Sequence, residues 1–572
     1  MGDIPSYTFL FPFIILEVGI SWQAKLTGIS KGAIIYLYVS KITRADARIL
    51  EGKKSMFERA SGVLLHITSL PSPHGIGTMG REAYRFIDFL HEAGQRYWQV
   101  LPLGQTGFGD SPYQCYSTAA GNAYLIDLDL LREDGLLTEE QVRAADVGGS
   151  PDRVAFDKIA ATRYPALRHA YAAMDEALEA KVEAFRAENA DWLEDYALFL
   201  SLREELYNNR PLWEWPDEDV KARKPAALAA ARQELADEIN FRVFVQYLFF
   251  DQWNRLRAHA AEKGVQIIGD IPIYVSPDSV DVWANPKLFK VDETLLPRKV
   301  AGVPPDYYSA TGQLWGNPVY DWKVHEKEGF RWWIWRMERV AALFDVVRID
   351  HFRGFESYWE VDQTEETAVN GKWVKGPGMK LFRAIEAKLG KFPIIAEDLG
   401  LITDKVKALL KTSGYPGMRV MIFGLYANDD NAHLPHNFEK NSIVYTSTHD
   451  SETICEQILD IAAPEDAEFA KAYLRWDGRE PLAWAAIRTL HASPASIAMV
   501  SMQDLLNLGA DARMNVPSTL GGNWTWRVRA EAINSDVAAF LRGVTVTNKR
   551  YHAPEPPKAD ADEEAESEAA EA

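Results

Sequence analysis

Eight apolar runs recur along the chain, and stretches with helical spacing separate most of them. Short apolar runs are typical of strands buried on both faces, although a single run could also be a buried helix segment. Buried strands that alternate with helices predict an α/β fold, a (β/α)8 TIM barrel, whose reactive residues lie at the carboxyl ends of the strands. The predicted strands are 62–70, 97–103, 265–275, 344–354, 393–399, 417–423, 443–447 and 496–501.

Two gaps between the predicted strands are too long for simple crossovers. Residues 105–240, between the second and third strands, have helical periodicity and predict a mainly helical insertion. Residues 276–343, between the third and fourth strands, include GVPPDYYSATGQLWGNPVY at 302–320, which predicts an irregular, loop-rich insertion with a functional role. One apolar stripe of the helical insertion is formed by Trp192, Tyr196, Phe199 and Leu200.

The two ends of the chain differ from its middle. Residues 8–16 are strongly apolar, but Pro12 and Glu17 keep the run too short for a membrane span, and no secretory signal is recognisable. We predict that residues 1–55 lie outside the fold, with Met56 as the possible true start, and that 56–548 form the barrel domain. The acidic residues 549–572 are expected to be a disordered tail.

Composition narrows the class of protein further. The 572 residues are 47% apolar, which is enough for a large core, and 62 basic residues face 82 acidic ones. An acidic chain without a basic stripe argues against nucleic acid as a partner. Cys115 and Cys455 are the only cysteines, so we expect free thiols in a reducing, cytoplasmic compartment.

Four acidic residues each follow an apolar run: Asp270, Asp350, Glu397 and Asp450. In a barrel they would converge at one mouth, where carboxylates serve metal binding, acid–base catalysis or glycoside chemistry. A metal site remains an alternative, with His351 and His449 as candidate ligands, but the chain has no HExxH motif and no cysteine pair. No motif implies a cofactor, and no Walker or Rossmann glycine pattern is present.

Two of these acids have neighbours that would shift their pKa values in opposite directions. On a strand, Arg348 and Asp350 point to the same face, and the guanidinium should lower the pKa of the carboxyl group. Glu397 follows the apolar residues FPIIA, and burial there should raise its pKa. Glycoside chemistry needs such a pair, an ionised nucleophile and a protonated acid.

Several motifs of the chain resemble those of one known enzyme family. The chain resembles the 4-alpha-glucanotransferases (amylomaltase, disproportionating enzyme) of glycoside hydrolase family 77, in the alpha-amylase clan, from about Gly62 to Arg527. The motifs that carry it are FDVVRIDHFRG, IIAEDLG, YTSTHD, GDIPIYV, LPLGQTGFGDSPYQ, GQLWGNP and RMNVPSTLGGNWTWR.

The resemblance implies roles for individual residues. Asp350 would be the nucleophile, Glu397 the general acid/base, and Asp450 the third carboxylate, which binds sugar hydroxyls in the distorted transition state. Arg348 would orient Asp350. Tyr113 resembles a substrate-stacking tyrosine, and Asp306, Tyr307, Gln313 and Trp315 of the 302–320 loop match positions that line the acceptor side. The other implied substrate-binding residues are His351, His449 and Asp270.

The implied activity moves a segment of an α-1,4-glucan to the 4-hydroxyl of another glucan or of glucose. An α-1,4-glucan hydrolase of the same clan and a catalytically silent glucan-binding protein are the alternatives. The chain departs from the family pattern after THD, where Ser451 and Glu452 replace Asn-Asp, and after RMNVP, where Ser518 and Thr519 replace Gly-Thr.

Overall fold

A closed barrel of eight parallel strands forms the centre of the computed structural model, which describes residues 56–306, 309–428 and 430–553. A second, four-stranded sheet lies outside the barrel. The strands of the described residues are β1 Ala60–Leu64, β2 Tyr97–Gln99, β3 Gln266–Ile271, β4 Lys299–Val303, β5 Gln313–Pro318, β6 Val346–Ile349, β7 Ser357–Asp362, β8 Gly371–Lys375, β9 Ile394–Ala396, β10 Gly417–Val420, β11 Ser442–Tyr445 and β12 Ile497–Ser501.

The barrel strands follow one another in chain order, β1-β2-β3-β6-β9-β10-β11-β12, and β12 pairs with β1 to close the ring. All of these pairings are parallel, as in the register of β3 with β6, where Ile268 is opposite Val346. The predicted (β/α)8 barrel is therefore confirmed, and each of the eight predicted runs overlaps a barrel strand.

The barrel strands are apolar because both of their faces are covered. Every residue of β1, β6, β11 and β12 is buried. Each strand is shorter than the run that predicted it, and for every barrel strand except β12 the predicted run continues past the end of the strand. In 344–354, for example, pairing ends at Ile349, and the next residues form a turn at the barrel mouth. Asp350 and His351 lie in that turn.

Helices fill the predicted insertion between β2 and β3 and cover the outside of the barrel. The stripe of Trp192, Tyr196, Phe199 and Leu200 is buried in the main core, as its spacing predicts. The helices of the described residues are Arg81–Glu92, Leu128–Glu133, Glu139–Ala144, Phe156–Ala172, Glu176–Glu188, Leu193–Ser201, Glu218–Lys221, Pro225–Glu234, Ala236–Glu262, Val280–Ala284, Trp322–Lys327, Arg331–Leu343, Met379–Leu389, Asp404–Ser413, Pro464–Tyr473, Leu482–Ala492, Met502–Leu505 and Ser535–Thr547.

The segment 276–343 is more regular than its sequence predicts. It contributes β4 and β5 to an antiparallel sheet of order β5-β4-β7-β8, and Val300 on β4 is opposite Val361 on β7. The hairpin of β7 and β8, between the fourth and fifth barrel strands, was not predicted. Its two strands place Trp359 opposite Trp373.

The described chain extends slightly past the predicted end of the barrel domain. Arg550 is buried, and its guanidinium donates to the backbone carbonyls of Ala60, His491, Ser493 and Ser496. Residues 1–55 and 554–572, on which the predicted extension and most of the predicted tail fall, lie outside the described residues. Among the residues that are described, no helix is long and apolar enough to cross a membrane.

Candidate active site

An open cleft of about 700 Å³ lies at the carboxyl ends of the barrel strands. Asp270 and His449 are buried and do not line this cleft, but they contact residues that do. Tyr307 lies outside the described residues. The predicted site residues that line the cleft are Asp350, Glu397, Asp450, Arg348, His351, Tyr113, Asp306, Gln313 and Trp315.

Arg348 connects two of the strand-end acids. Its Nη1 lies 2.8 and 2.7 Å from the two carboxylate oxygens of Asp270, and its Nη2 lies 3.0 Å from Oδ1 of Asp350. Arg348 and Asp270 are opposite each other in the register of β3 and β6, so the barrel backbone itself sets this ion pair. The guanidinium is therefore fixed before it reaches Asp350.

The pKa of Asp350 differs from the sequence-based expectation. Burial raises it to about 6, although Arg348 acts in the opposite direction. The sequence-based prediction of a lowered pKa was wrong because it took only Arg348 into account. The guanidinium is shared with Asp270, and the site is desolvated.

Glu397 has the raised pKa that its apolar surroundings predict. It follows β9 directly, is 8% exposed, and burial together with the nearby Asp350 raises its pKa to about 8. Two backbone amides oppose this shift only in part: Leu399 donates to Oε1 and His351 donates to Oε2, both at 2.7 Å. Near pH 7, then, Asp350 is mainly ionised and Glu397 mainly protonated.

The backbone of His351 holds Glu397 through an unusual conformation. Its φ is 48°, in the left-handed region that a non-glycine residue rarely adopts, and strain of this kind clusters at functional sites. Its imidazole packs edge-on against the indole of Trp315, with ring centroids 4.8 Å apart. Burial lowers the pKa of His351 to about 3, and its Nε2 has no hydrogen-bond partner among the described residues. The imidazole is therefore neutral near pH 7.

Asp450 lies in the loop that follows β11 and is held from both sides. Asn515 donates to its Oδ1 at 2.8 Å, and Nε2 of His449 lies 3.2 Å from its Oδ2. Burial acts to raise the pKa of Asp450, but His449 outweighs it and the pKa falls to about 2. Asp450 therefore stays ionised across the working range of the other two carboxyl groups.

Tyr113 joins the two halves of the site. Its hydroxyl donates to Oδ2 of Asp270 at 2.9 Å and lies 2.7 Å from Nε2 of His449. A continuous polar chain runs from Asp450 through His449, Tyr113 and Asp270 to Arg348. The tyrosine ring also stacks on the His449 imidazole, with centroids 5.5 Å apart.

The 302–320 segment forms one wall of the cleft. Trp315 lies on β5 and donates its indole N–H to Oε1 of Gln313 at 3.0 Å. Asp306 accepts from the backbone N–H of Ser309 at 2.8 Å, which closes the loop that precedes β5. The aromatic ring and the amide of this wall thus have fixed orientations.

Several lining residues were not singled out by the sequence. Asn515 was inside a quoted motif, and its role depends on a contact with Asp450 that no local pattern shows. Arg353 was also inside a quoted motif, FDVVRIDHFRG, and its burial beside the cleft is seen only in the structure. Trp373 lies on the unpredicted strand β8. Other lining residues of this kind are Phe423, Asn431, His433 and Trp524.

The departures from the family pattern are accommodated by local contacts. Glu452 forms an ion pair with Arg513 at 2.9 Å, and Oγ of Ser451 accepts from the backbone N–H of Thr448 at 2.9 Å. Ser518 has a φ of 64°, a conformation that suits the glycine usual at this position in the family. Within the described residues there is no cluster of three or more His, Cys, Asp or Glu side chains suited to hold a metal ion.

A closed parallel barrel with three carboxyl groups at one mouth, two of them with separated pKa values, defines a carboxylate-dependent enzyme of glycoside chemistry. Comparisons with known proteins define the family. A family model described as 4-alpha-glucanotransferase matches residues 65–533. The chain belongs to this family, glycoside hydrolase family 77, and is an enzyme of the 4-alpha-glucanotransferase type.

Individual relatives are similar over nearly their whole length. The 4-alpha-glucanotransferase of Streptococcus pneumoniae is 45% identical over 498 residues, which cover 87% of this chain and 98% of the relative. That of Thermus thermophilus is 46% identical, with 86% and 99% covered. The structure of an amylomaltase from Streptococcus agalactiae in complex with acarbose matches with a TM-score of 0.84 and 44% identity, covering 86% of this chain and all (100%) of that one.

Proposed function

We propose that this enzyme transfers a segment of an α-1,4-glucan to the 4-hydroxyl of a second glucan or of glucose by a retaining double displacement. The observation that carries the proposal is the pairing of Asp350, with a pKa of about 6, and Glu397, with a pKa of about 8, in one cleft. Family membership supports the glucan as substrate. The complex of the S. agalactiae relative with acarbose supports glucan binding.

In the first half-reaction a carboxylate oxygen of Asp350 attacks the anomeric carbon. The bond to the glycosidic oxygen breaks, and Glu397 gives its proton to that oxygen, so the reducing-side fragment leaves as an alcohol. Arg348 keeps Asp350 oriented, and the ionised Asp450 binds hydroxyl groups of the distorted ring. The product of this step is a glycosyl ester on Asp350.

In the second half-reaction Glu397, now ionised, takes the proton from the 4-hydroxyl of an acceptor. The acceptor oxygen attacks the anomeric carbon, the ester bond to Asp350 breaks, and an α-1,4 bond forms again. Two inversions give net retention. Both residues return to their starting protonation states.

Transfer requires the acceptor to compete with water for the glycosyl ester. A bound and oriented hydroxyl can have an effective concentration of roughly 10⁵ M or more, far above that of water. The wall formed by Trp315 and Gln313 is suited to hold the acceptor beside Glu397, because Trp315 contacts His351, whose backbone holds that acid.

Incubation with maltotriose separates transfer from the main alternative, hydrolysis. A transferase yields glucose together with oligomers longer than maltotriose, whereas an α-1,4-glucan hydrolase yields only shorter products. Excess acarbose should suppress the reaction if it binds in the same cleft. The free thiols Cys115 and Cys455 support the cytoplasm as the compartment, which stays a prediction.

A further inference from the structure

An exposed tryptophan on the rim of the cleft has no part in the proposed chemistry. Trp373 lies on β8 and is 41% exposed, although a large aromatic side chain is normally buried when it has no ligand. It lines the same cleft as the three carboxyl groups. The ring therefore presents apolar surface to whatever occupies this end of the cleft.

The indole is held in place from behind and from the side. The guanidinium of Arg353 lies over one face, 3.8 Å from the ring centroid, and Trp359 packs edge-on at 5.1 Å. Trp359 is in turn fixed by its N–H bond to the carbonyl of Ala368 at 2.8 Å. A ring with one face covered and its edge packed loses little freedom when a ligand covers the other face.

Arg353 is an unusual support for this ring because it is buried, and the nearby carboxylate of Glu356 favours its charge only in part. It donates to the carbonyl of Leu401 and, at 3.2 Å, to the hydroxyl of Ser357, while its Nε has no partner there. Burial lowers its pKa below the ordinary value. The cation–π contact with Trp373 adds to these contacts in stabilising the charge.

Trp373 is connected through Arg353 to the turns that carry the nucleophile and the acid. Arg353 follows Asp350 by three residues, and Leu401 follows Glu397 by four, so both belong to the turns that carry the nucleophile and the acid. The side chains of Asp450 and Asn515 hold the other side of the site. Trp373 therefore lies beside these two turns, and its strand β8 belongs to the same four-stranded sheet as β5, which carries Trp315 of the acceptor wall.

We infer that Trp373, backed by Arg353, is a stacking platform for a glucose unit of the acceptor or leaving-group chain, remote from the bond that is exchanged. This inference rests on the proposed function. An indole face fits the apolar face of a pyranose ring, and the rigid backing makes the platform pre-organised. The platform selects for acceptors long enough to reach it.

The test compares acceptors of different length in Trp373→Ala and Trp373→Phe. With maltohexaose as acceptor, Trp373→Ala should lower kcat/KM roughly threefold to tenfold through KM, the size of one aromatic contact. With glucose as acceptor the change should stay within about twofold. Trp373→Phe, which keeps a ring, should recover most of the loss. Tyr551→Ala is the matched control, because Tyr551 also stacks on an arginine, Arg542, but away from the cleft.

Equal losses with glucose and maltohexaose, or no loss with either, would overturn the platform. Calorimetric binding of maltotriose and maltohexaose to the Asp350→Asn protein supplies a readout without turnover, and Trp373→Ala in that background should weaken only the longer ligand. If the unaltered enzyme fails to disproportionate maltotriose while this length dependence persists, the proposed function is wrong and the platform stands. If disproportionation occurs and the length dependence is absent, the platform alone is wrong.

Discussion

The floor and the rim of the cleft are built in different ways. The floor, formed by Arg348, Asp350 and Glu397, lies at the ends of barrel strands and is fixed by strand register, by the ion pair of Arg348 with the buried Asp270, and by backbone amides. The rim, formed by Trp315 and Trp373, comes from the second sheet. Rigid strand ends suit bond exchange, whereas the rim can vary in the glucans that it binds.

The comparison implies a division of labour. Removing a floor residue should abolish bond exchange for every substrate, since the reaction needs both a nucleophile and an acid. Removing a rim residue should change which acceptor is used, and how well it competes with water, while leaving the chemistry intact.

The largest effect is expected from Asp350→Asn. It removes the nucleophile but keeps the shape of the side chain, so kcat for maltotriose disproportionation should fall by roughly 10⁴- to 10⁶-fold. Asp404→Asn, which removes a fully exposed carboxylate on an outer helix, is the control and should leave kcat unchanged. Separating the reaction products of both variants by size with chromatography measures this kcat. An Asp350→Asn protein with near-normal turnover would refute Asp350 as the nucleophile.

Glu397→Gln should have the next largest effect, a loss of roughly 10²- to 10⁴-fold, the usual contribution of a general acid. The pH profile of kcat/KM of the unaltered enzyme tests the same residue. Activity should rise as the pH passes about 6, where Asp350 loses its proton, and fall as it passes about 8, where Glu397 loses its proton. A donor whose leaving group needs no proton does not require the acid in the first half-reaction. With such a donor, the rate of that half-reaction should no longer fall at high pH, and a fall that persists would contradict the role of Glu397.

Asn515 lies between floor and rim, and the substitution Asn515→Ala should lower kcat/KM by roughly 10- to 100-fold. It removes the amide that donates to Asp450 Oδ1, a hydrogen bond to a charged group. The measurement is steady-state kinetics with maltotriose, and Asn515→Asp tests the contact from the other direction by placing a second negative charge beside Asp450. Unchanged kinetics in both variants would show that His449 alone holds Asp450.

Trp315→Ala should change total turnover least of these substitutions, and its effect should be the most specific for the rim. Loss of the indole should weaken the acceptor wall and raise the ratio of hydrolysis to transfer several-fold, since water then competes better for the glycosyl ester. Quantifying released reducing ends against elongated products gives this ratio. Trp315→Phe should show a smaller shift, and a ratio identical to that of the unaltered enzyme would reject this role for the wall.

The floor was largely predictable from the sequence, and the rim was not. Buried parallel strands are continuous apolar runs, so the acid that follows each run lies at the barrel mouth. Asp270, Asp350, Glu397 and Asp450 could all be placed in this way. The β7–β8 hairpin has no such signal: β8, GKWVK, is short, polar and half-exposed, so Trp373 could not be assigned to the cleft.

Electrostatics was predictable only in part, for a related reason. The raised pKa of Glu397 follows from its apolar neighbours in sequence, and the structure agrees. The pKa of Asp350 depends on how Arg348 divides its contacts between Asp350 and Asp270. Asp270 lies on another strand, 80 positions before Asp350 in the sequence. Local spacing cannot show a partner that only the barrel register brings close.

Covalent trapping tests the central claim most directly. The Glu397→Gln protein is incubated with a maltosyl fluoride that lacks the terminal 4-hydroxyl, because fluoride leaves without a proton and the missing hydroxyl prevents self-transfer. Mass spectrometry of the proteolysed protein should find the glycosyl group on the peptide that contains Asp350. A glycosyl group on any other residue, or fluoride release with inversion and no adduct, would contradict the account.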